Sequence, residues 1–304
     1  MFSRGILFPG YGSQYVGMGK DFYDKYRVVQ ELFEEASNCV GINFIRLCFA
    51  SSEKELAKPL NAYLSLFLIQ SSIFTILREH EIVPSLITGW GVGQISTYYN
   101  SGILNFPDGL YLLKKYMEFY ESLVLGNDVA MVSIKGVDKI TFEKCLRDCA
   151  VEESIKVAII RDEKDFVIAG RKPAILILVG FLQKNFDIHV MPERFTYGIH
   201  MLFLNKLIDG LNCYLEKIDC KKPKYSVIDQ SGSMLRKGIS FNKLWLTQFM
   251  HHPIDLVEIV RQLNKVDEII QIGPGDVTLN VVKKCFPHKR KICIKHKSDL
   301  KELL

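Results

Sequence analysis

Gly89-Trp90-Gly91-Val92-Gly93-Gln94 joins two segments of different periodicity. Before it, Pro84 to Gly89 is a short apolar run ending in glycine, which reads as a buried strand. After it, Ile95 to Tyr99 reads as a helix. Three glycines at alternate positions permit a sharp turn and the close approach of another group. One functional reading is an anion cradle at a helix N-terminus, although the dinucleotide fingerprint needs G-x-G-x-x-G. The other is a nucleophile elbow, G-x-S-x-G, whose strained turn lifts a side chain above the sheet. Gly89 and Gly93 fit that frame, and Gly91 occupies the place of the nucleophile. A plain strand-to-helix turn is the structural alternative.

Outward from this turn the same alternation recurs. Gly5 to Phe8 reads as a first strand, followed by the Gly-rich loop Phe8-Pro-Gly-Tyr-Gly-Ser-Gln14. Loops at the carboxyl ends of parallel strands line a ligand crevice, and their backbone N–H groups can receive an oxyanion. Helical spacing covers Asp21 to Cys39, Leu60 to His80, Asp108 to Leu123, Met201 to Ile218, Leu244 to Leu263 and Val277 to Cys285. Leu60 to His80 is apolar almost all round, so deep burial is expected. Strands are expected at Tyr225 to Ile228, Glu268 to Ile272 and Lys291 to Ile294. That order implies a largely parallel sheet covered on both faces. From Ala130 to Met191 the rhythm changes to βαββαβ, the ferredoxin-like signature.

Lys+Arg 39 against Asp+Glu 34 gives +5, too small to argue for nucleic acid by itself. The basic stretch Lys283, Lys284, His288, Lys289, Arg290, Lys291, Lys295 and Lys297 lacks interleaved aromatics. It reads as a solvated edge, with an acidic-partner patch as the functional alternative. No run reaches ~18 uninterrupted apolar residues, so no membrane span is expected. The N-terminal apolar run is too short for a signal peptide, which points to the cytoplasm. The eight cysteines form no CxxC pair and have no paired histidines nearby, so zinc is not expected. They read as reduced, mostly buried thiols. His200 precedes a long apolar helix; it is structural, or a general base if a nucleophile sits within ~3 Å. His251 and His252 point in different directions on a helix and do not make a metal pair.

These residues together resemble the malonyl-CoA:acyl carrier protein transacylases and the acyltransferase domains of polyketide synthases. Phe8-Pro-Gly-Tyr-Gly-Ser-Gln-Tyr-Val-Gly-Met-Gly19 resembles that family's F-P-G-Q-G-S-Q…G-M-G opening. Gly89 to Gln94 stands where the family has G-H-S-L-G-E, and Ser101-Gly-Ile-Leu104 is similar to the turn after it. Gln248-Phe249 before Pro253 resembles its Q-L…P-V segment, and Gln271-Ile-Gly-Pro-Gly275 its E-I-G-P-G. The matches keep family order along nearly the whole chain. The implied fold is α/β: an α/β-hydrolase-like large subdomain with a parallel sheet in residues 1–127 and 192–304. A ferredoxin-like small subdomain, residues 128–191, is inserted into it. The resemblance implies acyl carrier protein and acyl- or malonyl-CoA as partners and no cofactor.

The resemblance also implies a mechanism. An elbow serine attacks a malonyl thioester, a histidine acts as its base, and backbone amides hold the oxyanion. An arginine pairs with the malonyl carboxylate. This chain departs from that scheme at its centre. Gly91 stands at the nucleophile, Trp90 at the neighbouring histidine and Tyr11 at the glutamine of the opening. An ungapped count back from Ala130-Met131 places Tyr116 at the arginine, and a tyrosine cannot form a bidentate charged pair. Lys114 and Lys115 are adjacent substitutes. The family's asparagine falls around Ile159 or Arg161, and His200 is retained as base. Tyr11 and Val92 fall at the oxyanion site, and Trp90, Tyr116, Arg161 and Gln248 at the substrate. The expectation is a degenerate homologue that binds acyl-thioesters or carrier protein. The alternative is an active transferase or thioester hydrolase using His200 with water or a substitute nucleophile, Ser13 before Ser96.

Overall fold

The computed structural model describes residues 2–124, 127–193, 204–243, 245–247, 252–275, 282–283 and 285–303. The chain opens with β1 (Arg4–Phe8), then α1 (Lys20–Tyr23), α2 (Arg27–Val40), α3 (Phe44–Phe49), α4 (Glu53–Leu56) and α5 (Pro59–Glu79). β2 (Leu86–Gly89), α6 (Val92–Asn100) and α7 (Phe106–Val124) follow. Next come β3 (Val129–Lys135), α8 (Lys139–Asp148), β4 (Ile155–Asp162), β5 (Asp165–Arg171), α9 (Lys172–Asn185) and β6 (His189–Pro192). The remainder holds α10 (Leu204–Leu215), β7 (Ser226–Ile228), β8 (Met234–Leu235), β9 (Ile254–Asp255), α11 (Leu256–Leu263), β10 (Glu268–Ile272) and β11 (Arg290–Ile294).

Strands β2 and β10 are buried at every residue, so they must lie inside a sheet covered on both faces. The large sheet runs β11-β10-β1-β2-β7-β8. All its neighbours pair in parallel except β7 with β8. Across one register Arg4, Glu268 and Arg290 lie side by side, and the fully buried Glu268 carboxylate meets both guanidinium groups at 2.9 Å. Helix α5 is long and apolar enough, by length and composition, to cross a membrane. Here every residue from Ala62 to Leu77 is buried, with α2, α6 and α7 packed against it.

The second sheet runs β6-β3-β5-β4-β9. Its first four strands with α8 and α9 follow the βαββαβ order read from periodicity, and they enclose a separate core around the edge-to-face pair Phe142 and Phe166. The fifth strand, β9, comes from outside the insertion and pairs in parallel with β4, Ile159 opposite Ile254.

Three expectations need correction. Leu244 to Leu263 is not one helix: Ile254–Asp255 is a strand, and α11 starts after it with Asp255 accepting a hydrogen bond from the Glu258 N–H at 2.9 Å. Pro253 lacks an N–H donor and restrains the residue before it, which ends helical structure. The Asp21 to Cys39 helix is two, broken before the extended Tyr26. The cysteines are not mostly buried: Cys48 and Cys145 are, whereas Cys39, Cys213 and Cys285 are exposed. Cys39, for example, falls on the outer face of the amphipathic α2.

Part of the C-terminal basic stretch is structural. The Lys289 ammonium donates to the carbonyls of Leu263, Asn264 and Val266 at the end of α11, and Lys291 to those of Phe286 and Pro287. Burial pushes the Cys48 thiol up to about 12. At pH 8, iodoacetamide should therefore alkylate Cys39 and Cys213 in the folded protein and leave Cys48 unmodified until denaturant is added; peptide mapping reads the difference.

Candidate functional site

β2 ends at Gly89, α6 begins at Val92, and Gly91 between them adopts φ 57°, ψ −123°. That conformation strains any residue with a side chain. It makes the sharp strand-to-helix turn of a nucleophile elbow. The framing glycines are required by contact. A Cβ on Gly89 would lie 2.3 Å from the Gly93 carbonyl oxygen, and one on Gly93 would lie 2.2 Å from the Phe8 carbonyl oxygen. At Gly91 a Cβ would meet nothing nearer than the Tyr63 hydroxyl, 3.8 Å away. The backbone geometry of the elbow is present, with room for a side chain that the chain does not carry.

The first turn of α6 leaves amides to be satisfied. Gly93 N–H donates to the Trp90 carbonyl at 3.0 Å and Gln94 N–H to that of Gly91 at 3.1 Å. Gly91 N–H donates to Gln230 Oε1 at 3.4 Å, while Gln230 Nε2 donates to the His252 carbonyl at 3.0 Å. The remaining amide at the helix start belongs to Val92. It is the natural donor toward a carbonyl oxygen placed above the turn.

The loop after β1 is locked beside the elbow. A Cβ on Gly10 would lie 3.0 Å from the Trp90 ring and 3.0 Å from its carbonyl oxygen, so Trp90 is packed on the loop backbone. Gln70, fully buried in α5, donates to the Pro9 carbonyl at 2.7 Å and accepts from Ser96 Oγ at 2.5 Å. Gly273 faces Gln70 and Pro9, and Gly275 faces Ser13. The loops following β1, β2 and β10 thus meet at the carboxyl edge of the sheet, where open α/β sheets bind ligands.

Four tyrosines form the wall behind the turn. Ring centroids are 5.8 Å apart for Tyr11 and Tyr63, 6.4 Å for Tyr63 and Tyr116, and 6.2 Å for Tyr116 and Tyr120. The Tyr11 hydroxyl donates to the Ala57 carbonyl at 2.7 Å. Burial, and then the neighbouring phenols, hold Tyr63 and Tyr116 well above the ordinary tyrosine range. Both are neutral hydrogen-bonding groups at physiological pH, and neither can serve as an anion.

Gly91, Trp90, Val92 and Tyr11 are therefore brought together, with Tyr116 one ring behind Tyr63. Arg161 is engaged elsewhere: it pairs with Glu193 at 2.8 Å and donates to Ser133 Oγ at 3.3 Å. The lysines beside Tyr116 are also committed, Lys114 to the Val40 carbonyl at 3.1 Å and Lys115 to Glu118 at 2.7 Å. His200 and Gln248 lie outside the described residues. Sequence reading did not single out Tyr63, Gln70 or Gln230. Gln70 carried the one usable signal, a polar amide midway along an apolar helix.

The family model for the acyl transferase domain matches residues 6–291. This chain belongs to the acyl transferase domain family. It is 26% identical over 283 residues to a malonyl CoA-acyl carrier protein transacylase of Bacillus subtilis, covering 92% of this chain and 89% of the relative. A solved malonyl CoA-acyl carrier protein transacylase from Clostridium perfringens shares its fold, with a TM-score of 0.86 at 24% identity, covering 99% and 96% of the two chains. So does a type II polyketide malonyl-transacylase solved in complex with its acyl-carrier protein, with a TM-score of 0.84 at 21% identity and 99% of each chain covered.

Two measurements check this geometry. Gly93→Ala should lower stability by about 2 kcal/mol or more through backbone overlap, whereas Gly91→Ala should cost about 1–2 kcal/mol from its φ alone; urea midpoints compare them. The buried tyrosines predict an alkaline limit. Their folded pKa values lie above the unfolded value, so the stabilisation is complete below about pH 10 and is lost as pH rises further. Urea midpoints should hold up to about pH 10 and fall as pH rises beyond it, and Tyr63→Phe should flatten that fall.

Proposed function

We propose that this chain is a degenerate malonyl-CoA:acyl carrier protein acyltransferase homologue that binds acyl-thioesters or a carrier protein without forming a serine acyl-enzyme. The observation that carries the reading is Gly91: an elbow backbone at φ 57°, ψ −123°, with no side chain to acylate. Loss of a catalytic nucleophile commonly costs on the order of 10⁶ in turnover.

The nearby hydroxyls support the same conclusion. Ser13 Oγ donates to the Gly10 carbonyl at 2.9 Å, and Ser96 Oγ is buried against Gln70. Both hydroxyl protons are committed to these partners. The binding half of the machinery has counterparts: the Val92 amide for a thioester carbonyl, and the locked first loop opposite it. The likeness to a malonyl-transacylase held by its acyl-carrier protein supports a carrier protein as the partner. Tyr116 and the committed Lys114 and Lys115 argue against strong selection of a free malonyl carboxylate at this wall.

Intact-protein mass spectrometry after incubation with malonyl-CoA and acetyl-CoA tests the reading. The expected result is no stable mass increase, with a serine-bearing relative labelled in parallel, and measurable heat on titration with acetyl-CoA or holo-carrier protein. A stable adduct would overturn it, and peptide mapping would name the nucleophile. Turnover of acyl-CoA by hydrolysis, abolished in His200→Ala, would favour the alternative in which water replaces the serine.

A further inference from the structure

A cavity of about 270 Å³ opens at the far end of α6, where the C-terminal ends of α5 and α6 meet the segment leading into β7. With 9 residues in α6, it lies ~13 Å along the helix from Gly91. Arg78, Lys221 and Lys224 line it, and no described residue forms an ion pair or side-chain hydrogen bond with any of the three. Among the described lining residues Asp219 is the single acid, so positive charge is in excess.

These cations are not needed as helix caps. The carbonyls of Ile76, Leu77 and Arg78 at the end of α5 accept from the amides of His80, Ile82 and Glu81. Those of Thr97, Tyr98 and Tyr99 at the end of α6 accept from Ser101, Ile103 and Gly102. The segment carrying the lysines is fixed, because Lys221 N–H donates to the Ile103 carbonyl at 2.9 Å and Lys224 N–H to that of Ser101 at 2.8 Å. The Lys224 side chain lies across Gly102, 3.1 Å from where a Cβ would stand, which suits the glycine at φ +81°. Tyr99 and Tyr225 supply aromatic surface, and the buried Phe74 backs Tyr225 edge-to-face at 6.1 Å.

We propose that this cavity binds a nucleotide, with the phosphate between Arg78, Lys221 and Lys224 and the base against the aromatic side chains. Three like charges around one hollow repel one another, and an anion among them removes that cost. A guanidinium can grip phosphate through two parallel hydrogen bonds, and ammonium groups add point charge. Tyrosine offers a ring face and edge to a heteroaromatic base. The volume, about 270 Å³, lies just under the lower end of small-molecule sites, about 300 Å³, and the cavity is open to solvent.

Calorimetric titration with AMP, inorganic phosphate and adenosine tests the proposal on the wild-type chain and on Arg78→Gln/Lys224→Gln. Both substituted side chains are exposed, so the fold should be retained, and circular dichroism verifies it. AMP should bind with a Kd below about 1 mM, at least about tenfold tighter than either fragment, and the double variant should lose about tenfold or more. Absence of AMP binding overturns the proposal. Unchanged AMP affinity in the double variant does so too, because the nucleotide would then sit elsewhere. Equal affinity for phosphate and AMP overturns the assignment of a base subsite.

Discussion

The backbone of β1 and the first turn of α6 lie so close that no side-chain carbon fits between them. Gly93 sits against the Phe8 carbonyl, and Gly89 against both the Phe8 and Gly93 carbonyls. This contact aims α6 away from the carboxyl edge of the sheet and sets Gly91 in its strained conformation. It also fixes the distance between the first two loops. Gln70 extends the same constraint by tying Pro9 to Ser96 across a helix with no exposed residue nearby. The shape of the turn therefore depends on the flanking glycines and on the sheet, not on a side chain at Gly91.

What surrounds the elbow differs in kind from a site built to handle a carboxylate. The wall is phenolic, with Tyr63 and Tyr116 desolvated and neutral, and the cations next to it in sequence are held by a backbone carbonyl and a glutamate. Buried phenols stabilise by packing and keep their protons across the physiological range. Such a surface suits contact with apolar or weakly polar groups. Positive charge collects in excess instead at the opposite end of α6, where Arg78, Lys221 and Lys224 share a cavity with Asp219, the single acid among the described lining residues. The same helix thus separates two regions of different chemistry, one facing each edge of the sheet.

Much of the architecture was legible because the patterns were local. Alternation of apolar runs with 3.6-periodic segments marked the parallel sheet, and the changed rhythm after Ala130 marked the second sheet. The errors came where local pattern and tertiary demand part. Leu244 to Leu263 looks continuously helical, but Pro253 and the vacant edge of β4 turn its middle into a strand. Cys39 and Cys213 are apolar enough to read as core, yet lie on outer helix faces. Arg161 fell at a substrate position by counting and is taken by Glu193.

By itself the sequence determined the family, the alternation of strands and helices that builds the two sheets, and the glycine at position 91, because each is a matter of residue identity at a spaced position. It could not determine which side chains face that position. Tyr63 is one of many apolar residues on a helix buried all round, and Gln230 sits 139 residues from the amide it meets. Those neighbours exist only once parallel strands bring distant loops to one edge of a sheet. The cations lining the cavity at the other end of α6 likewise come from segments more than 140 residues apart, Arg78 and Lys221. Their proximity is a consequence of chain crossing, which residue periodicity does not encode.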